Sequence, residues 1–571
     1  MSQSPEPQAP DRSLLWVAGL GCVSWLAYLA IAFSAQSLHE AGSGGHSLLG
    51  LLALFGCAFG SYLVAIGAAL RAPQTRRLLI VIAAFGILFR FTLLFSNSIE
   101  EIDLYRYLWD GAASTQGVNP FRYTPQQVLA ASDDGALPAD LARLVRLRDE
   151  SPEMTVILQR VHFGELPTIY PPVSQAVFAA CTWLTPRDAS LSARMILMKS
   201  WFVAFDLATL VLVIRLLVLA GRPPGMALIY AWCPLLIKEI ANSGHLDALA
   251  FFLATAAAYL TARVLFFPER LRSPRLTAVL AAFLMGLAAG AKLYPVILAP
   301  LIVASLIGRR GWRFAFLPAL TFGLTVAILA RPMWPTGSRD RSAPQDEFDA
   351  AQVAILSDDA PPVAPQEVAS NPRDPSQSLR AFLREWEMND FVFLVFVENL
   401  RPTATLTPGE LAWFSIVPES WRTAVNSFAV SHLGVHESRA PFVVARMLTS
   451  AIFLAIMLWL AWRAAMTKSV DDWLNAAFLT VAWFWLLLPT QNPWYWTWAL
   501  PFLPFARSRV WLAMSGLAFV YYLRFWLVRQ FPAATLAGTV YAGPMFFDYI
   551  VVWLEFAPWF AWLAWDHIMR R

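Results

Sequence analysis

The sequence predicts an all-α, polytopic transmembrane protein of about fourteen spans. Three observations predict it. Hydrophobic residues make up 58% of the 571 and charged residues only 14%, against about 25% charged in a soluble domain, and the mean hydropathy is +0.52. Apolar runs near the length that crosses ~30 Å of hydrocarbon recur along the chain. Lys and Arg gather in short loops between those runs, which the positive-inside rule places in the cytoplasm. The 25 tryptophans and 14 tyrosines suit interfacial belts.

In chain order, the first runs are Leu14–Ala35, Leu48–Leu70 and Leu78–Phe95. The first is too long, and its flank too weakly basic, for a cleaved signal peptide, so it reads as an anchor. Arg71, Arg76 and Arg77 set one cytoplasmic loop, while 36–46 holds no Lys or Arg. Residues 97–170 then form a first large extracytoplasmic loop with a juxtamembrane helix. "YPPVSQAVFAACTWLTP" (170–186) is short and bounded by proline, and reads as a re-entrant or interfacial helix. The runs Trp201–Ala220 and Leu246–Phe267 follow. The stretch 276–308 lies between the basic loop of Arg263, Arg270, Arg272 and Arg275 and that of Arg309, Arg310 and Arg313. It must therefore go out and return, turning at Lys292–Pro295. A second outer loop covers 331–440. Its Pro-, Asp- and Ala-rich part, 331–375, reads as linker, and 382–400 as an amphipathic helix on the membrane surface, with Trp386 and Asn389 placed to cover a substrate. Phe442–Trp462 and further spans end the chain, with Arg463, Lys468, Arg507, Arg509, Arg570 and Arg571 cytoplasmic. The chain thus divides at 1–96, 97–170, 171–330, 331–440 and 441–571, with both termini cytoplasmic.

Cys22, Cys57, Cys181 and Cys233 lie in apolar runs and predict no disulfide framework. The net charge of +4 is scattered and points to no nucleic acid. There is no P-loop and no internal repeat.

The polar chemistry falls on one face, which also carries every histidine except His567. "NSIEEIDLYRYLWDG" (97–111) brings Glu100, Glu101, Asp103 and Asp110 directly after a span. Asp103, Tyr107 and Asp110 share a helix face at i, i+4, i+7. A carboxylate there suits a general base, and Tyr105, Arg106, Tyr107 and Trp109 suit sugar hydroxyls and rings; solvated acids capping a helix are the plainer reading. "KEIANSGHLDAL" (238–249) clusters Lys238, Glu239, Asn242, His245 and Asp247 at membrane depth, where ionisable groups are costly and mark function; a turn held by a salt bridge would show the same residues. His245 and Asp247 alone are too few ligands to assign a metal. "GAKLYP" (290–295) sets Lys292 and Tyr294 between two half-helices, the lysine suited to a phosphate or to snorkelling. "PTQNPWYW" (489–496) offers Gln491 and Asn492 to a sugar, or is an aromatic belt. Arg90 and Arg331 are further phosphate candidates.

The blocks "DLYRYLWDG…GVNPFRYTP", "LPTIYPP", "NSGHLDALA", "GLAAGAKLYP" and "NPWYW" together resemble bacterial integral-membrane glycosyltransferases of the GT-C superfamily, most nearly the polyprenyl-phosphate-dependent mannosyltransferase branch. The resemblance runs from about residue 97 to 500. It implies a multi-pass protein of the bacterial inner (plasma) membrane with its active site on the extracytoplasmic side. It also implies a polyprenyl-phosphate-linked sugar donor, a glycolipid, glycan or protein acceptor, and inversion at the anomeric carbon. Carried over, the base falls on Asp103, with Glu101 as rival because the acids are split here. Tyr107 and Asp110 would meet sugar or acceptor, and Lys292 with His245 the leaving phosphate. No cofactor is required by this chemistry, and a divalent metal stays open. A proton-coupled transporter or flippase would set its acids near the midplane, often in repeated halves. A non-catalytic assembly subunit would tolerate loss of Asp103.

Overall fold

The computed structural model describes residues 12–40, 46–132, 137–334, 372–406 and 414–570. Among them there is no β-strand; the elements described are all helices, with one isolated parallel bridge between Met388 and Thr490. It is an all-α, polytopic membrane protein. Among the described residues ten helices are long and apolar enough to cross a bilayer: Arg12–Gln36, Leu48–Arg71, Arg76–Leu94, Leu191–Leu219, Asp247–Phe266, Pro274–Ala291, Trp312–Met333, Ala440–Met466, Val510–Gln530 and Gly543–Met569.

The first helices are α1 (Arg12–Glu40), α2 (His46–Arg71) and α3 (Arg76–Leu94). Thr75 starts α3 by accepting a hydrogen bond from the Leu78 amide, as an N-cap threonine does. α4 (Asp103–Thr115) opens the first large loop, followed by α5 (Pro125–Ala130), α6 (Ala139–Arg148) and α7 (Pro152–Gln159). α8 (Pro172–Leu184) has 13 residues, ~20 Å of helix, too short to span ~30 Å. It packs on α4 at Gly111, where a Cβ would stand 2.5 Å from the Phe178 carbonyl oxygen. The re-entrant or interfacial reading of 170–186 fits that length. α9 (Leu191–Leu219) is a full span.

The span count differs from about fourteen. Of the remaining apolar segments among the described residues, Val470–Leu487 is an unbroken helix of 18 residues, and the others are broken or short. Residues 224–243 run as a 3-10 turn, α10 (Leu228–Ala231), α11 (Pro234–Ile237) and a π-turn, Lys238–Asn242. α12 (Asp247–Phe266) and α13 (Pro274–Ala291) are spans, whereas Tyr294–Leu298 is a 3-10 turn leading into α14 (Ala299–Arg310). The turn foreseen at Lys292–Pro295 is therefore present between α13 and α14. α15 (Trp312–Ala330) follows. Proline and the short lengths of these pieces keep each below a continuous 20-residue helix.

Contacts sort the loops into two ends. Arg222 pairs with Asp471, Arg309 donates to the Leu265 and Thr467 carbonyls, Arg310 to Val264, and Arg507 pairs with Asp472. The arginine-rich loops thus share one end. At the other, Glu101 meets His245, Lys292 meets Asp247, and Glu100 meets Arg529. Between the ends, α3 and α9 are locked by Arg90, fully buried, whose Nε donates to Asp206 Oδ2 at 2.5 Å and whose Nη1 donates to the Gly86 and Ala231 carbonyls at 2.9 and 2.7 Å. Tyr230 donates to the same Asp206 at 2.6 Å. A buried guanidinium is tolerable only when so paired.

The linker expected over 331–375 lies mostly outside the described residues. The helix expected over 382–400 is two helices, Gln377–Glu385 and Val392–Leu400. Between them 386–391 docks on the chain near 490: Met388 N donates to Pro489 O and Gln491 N to Met388 O, both at 2.9 Å. Asn389, at φ +52°, breaks the helix there and donates to the Gln491 carbonyl at 3.1 Å.

Candidate active site

The segment from α3 to α4 is held from below by Asn242. Its Nδ2 donates to Ser96 Oγ at 2.8 Å and to the Asn97 carbonyl at 2.6 Å, and its Oδ1 accepts from the Ile99 amide at 2.9 Å. Glu100 adopts φ +50° and is gripped by Arg529 through two hydrogen bonds of 2.5 and 2.6 Å. A non-glycine residue at positive φ persists only where its surroundings enforce it. The outcome is a fixed direction for the next carboxylate.

Glu101 Oε1 accepts from the Ile102 and Asp103 amides at 2.9 and 2.7 Å, capping the positive end of α4. Its Oε2 stands 3.1 Å from His245 Nε2. Asp103, the first residue of α4, accepts from Tyr170 Oη at 2.8 Å and from Tyr107 Oη at 3.3 Å, both on Oδ2. Tyr107 stacks on Phe178 of α8 at 4.7 Å between centroids, so helix packing aims the hydroxyl.

His245 comes from the turn after the π-turn. Gly244 has φ +75°, and a Cβ there would meet Leu104 and Lys199 side-chain carbons at 2.9 Å. Only glycine fits both demands. The imidazole stacks on Trp494 at 4.7 Å, and its Nε2 also lies 3.3 Å from Glu239 Oε2. Glu239 accepts from Tyr522 Oη at 2.6 Å and pairs with Lys238 at 3.3 Å. Lys292, just past α13, donates to Asp247 Oδ1 and Oδ2 at 2.7 and 2.8 Å; Trp498 Nε1 donates to Asp247 as well. Tyr294 stacks on Trp498 at 4.1 Å, and Lys292 lies over the Tyr495 ring at 4.7 Å.

Burial raises the pKa of Asp103, and the adjacent Glu101 carboxylate raises it further, so Asp103 sits above the usual carboxylate range. Glu101 is buried too, but the charge and hydrogen bond of His245, with the Asp103 amide, hold it below that range. His245, against the effect of burial, is raised by Glu101 and Glu239. Two carboxylates two residues apart are thereby pushed in opposite directions, which is how acid and base roles are divided.

The residues singled out in the sequence do not all gather. Glu101, Asp103, Tyr107, His245, Asp247, Lys292 and Tyr294 form the cluster just described. Arg106 instead spends Nη2 on the carbonyls of His162, Phe163 and Leu166 at 2.9, 2.8 and 3.2 Å, tying the first loop together. Tyr105 accepts from Arg160 at 2.7 Å. Asp110, 2% exposed, accepts from Gln175 at 3.0 Å and braces α4 on α8. Gln491 and Asn492 are buried, the former donating to the Leu486 carbonyl at 2.9 Å. Arg90 is spent on Asp206, and Arg331 is exposed at the end of α15. Residues the sequence reading did not assign are Tyr170, Trp494, Trp498 and Arg529; Glu239 it named only as a member of the 238–249 cluster. Tyr170 lies 67 positions from Asp103, so no local pattern pairs them; the tryptophans carry only the signal of an aromatic belt.

Comparison with known proteins adds one finding. The model of glycosyltransferase family 87 matches residues 168–349, well under half of the chain. The matched stretch holds α8 to α15, and with them Tyr170, Glu239, His245, Asp247 and Lys292, but stops short of Glu101 and Asp103. No curated protein and no solved structure matches. Together with the ten apolar helices, the match supports a membrane glycosyltransferase.

Proposed function

We propose that the protein transfers a hexose, mannose, from a polyprenyl-phosphate donor to an acceptor hydroxyl, with inversion, on the extracytoplasmic side of a bacterial plasma membrane. One observation carries the reading. A carboxylate whose pKa is raised, oriented by two tyrosines, shares one end of the bundle with Lys292 and His245, while the arginine-rich loops occupy the other. Under the positive-inside rule the arginine end is cytoplasmic. The site then faces away from cytoplasmic nucleotide sugars, and a lipid-linked sugar is the activated donor within reach.

The chemistry follows from positions. Asp103 takes the proton of the incoming acceptor hydroxyl, which attacks the anomeric carbon from the face opposite the phosphate. Glu101, held ionised, is the poorer base and keeps His245 in place. Lys292 and His245 face the phosphate side, where negative charge builds as the glycosidic bond breaks. Tyr294, Trp494 and Trp498 supply ring faces for the sugar.

Purified protein in liposomes, given radiolabelled polyprenyl-phosphate mannose and a bacterial lipid extract, is expected to yield labelled product, whereas GDP-mannose yields none. Transfer from GDP-mannose with none from the lipid-linked donor contradicts the reading.

A further inference from the structure

The arginine-rich end carries cations that the carboxylates around it leave unmatched. Asp471 is committed to Arg222, Asp472 to Arg507 and Glu269 to Arg270. Arg275 in the first turn of α13, Arg310 at the end of α14 and Arg313 in the first turn of α15 have no carboxylate partner among the described residues. Arg310 donates Nη2 to the Val264 carbonyl at 2.8 Å. The three nevertheless gather at one corner. The guanidinium carbons of Arg275 and Arg310 stand 5.9 and 6.0 Å from the centroid of the same ring, Phe314, and that of Arg313 stands 5.6 Å from Trp312. Like charges so placed oppose one another unless an anion joins them.

The same three helices enclose an apolar groove. It has a volume of ≈ 280 Å³ and is lined by Ala282 and Met285 of α13, Ile302 and Leu306 of α14, and Pro318 and Phe322 of α15. Leu306 lies four residues from Arg310, Pro318 five from Arg313 and Ala282 seven from Arg275, or ~6–10 Å along each helix. An acyl chain begins at such a depth beneath its headgroup phosphate. α15 is peripheral, with only Ala315 and Pro318 buried, so the groove lies at the lipid-facing surface. Toward the other end it is closed. A Cβ on Gly286 would stand 2.7 Å from the Thr325 side chain, and one on Gly290 2.5 Å from that of Leu329, so α13 and α15 touch there. Access is therefore from the arginine end, and a donor tail descending from Lys292 does not pass between α13 and α15.

We propose that this corner binds one anionic phospholipid from the leaflet at the arginine end, with its phosphate on Arg275, Arg310 and Arg313 and an acyl chain in the groove. Guanidinium forks match phosphate oxygens in pairs, and basic pockets between spans hold anionic headgroups on the cytoplasmic side. Trp312, 65% exposed beside Arg313, stands where tryptophans mark the membrane interface. Charge and groove select together: a zwitterionic lipid answers the groove alone, and a soluble phosphate the arginines alone. The site lies at the opposite end of the bundle from Asp103 and does not rest on the glycosyl-transfer reading.

The test is native mass spectrometry of the full-length, delipidated protein titrated with dioleoyl phosphatidylglycerol, dioleoyl phosphatidylcholine or polyprenyl phosphate. The first phosphatidylglycerol is expected to bind at least tenfold more tightly than phosphatidylcholine of the same chains. Arg275→Gln combined with Arg313→Gln should weaken it about tenfold or more. Ala319→Trp, which fills the groove, should do the same with all three arginines in place. Equal affinity of the wild type for the two phospholipids overturns the inference, and that outcome depends on no variant folding. Displacement of phosphatidylglycerol by equimolar polyprenyl phosphate also overturns it, giving the groove to a donor tail. So does wild-type binding by either variant at a wild-type melting temperature. Binding is read without sugar transfer, so its failure leaves the proposed function standing, and a protein inert toward every lipid-linked sugar leaves the lipid site standing.

Discussion

Asp103 owes its character to residues both near it and distant in sequence. Tyr170 and Tyr107 both hold Oδ2, and Glu101 sits two residues before it with its own carboxylate committed to the α4 amides and His245. Hydrogen bonds to a charged acceptor contribute ~1.5–3 kcal/mol, so removing the shorter one misplaces the base. Tyr170→Phe is expected to lower kcat about tenfold, the equivalent of ~1.4 kcal/mol, with donor KM within a factor of two. Steady-state transfer kinetics check this, and an unchanged kcat contradicts the positioning. The presence of acid at 100–103 is plain in the sequence, because three carboxylates within four residues of one another after a hydrocarbon run stand out. Their division of labour is not, since it depends on Tyr170, His245 and Arg529, the last 429 positions from Glu100.

At the scale of elements, the site is built from helix ends and breaks. α4 begins at Asp103; the π-turn Lys238–Asn242 and the Gly244 turn present His245; the break after α13 presents Lys292. Broken backbone at membrane depth is expensive unless it lines a site. Gly244→Ala forces a left-handed residue that costs ~1–2 kcal/mol and drives a methyl group against Leu104 and Lys199. The variant is expected to melt a few degrees lower and to lose ~10-fold or more in kcat through displacement of His245. Differential scanning fluorimetry beside the transfer assay reads both; wild-type values in each contradict the account of the turn. The break at Lys292–Pro295 was legible because two basic loops flank too short a stretch. The split of 382–400 was not: its amphipathic pattern runs on through 386–391, and only the pairing with Met388, Pro489 and Gln491 shows why the helix stops.

For the whole molecule, the sequence yields the class and the two ends but overstates what counts as a span. Composition and the arginine loops predict an all-α bundle with its polar chemistry at one end, and the contacts divide the loops in that way. Among the described residues ten helices meet the length and apolarity of a crossing, and residues 224–243, which hydropathy alone reads as continuous, are broken by proline and a π-turn. Arg90 is the clearest misreading. Read in isolation it is a phosphate candidate; its partner Asp206 lies 116 positions away, and together they hold α3 to α9. Arg90→Leu leaves Asp206 buried and unpaired and is expected to destabilise the protein by ~3–5 kcal/mol, while Arg90→Leu with Asp206→Leu recovers much of the loss; chemical denaturation in detergent measures both. Equal stability of the single variant and the wild type contradicts the structural role. The central claim, a sugar transfer with Asp103 as base, is tested most directly by single-turnover transfer from polyprenyl-phosphate mannose by reconstituted Asp103→Asn beside Glu101→Gln and the wild type. The account predicts a loss of ~100-fold or more for Asp103→Asn, with its melting temperature near that of the wild type. Wild-type turnover by Asp103→Asn contradicts it.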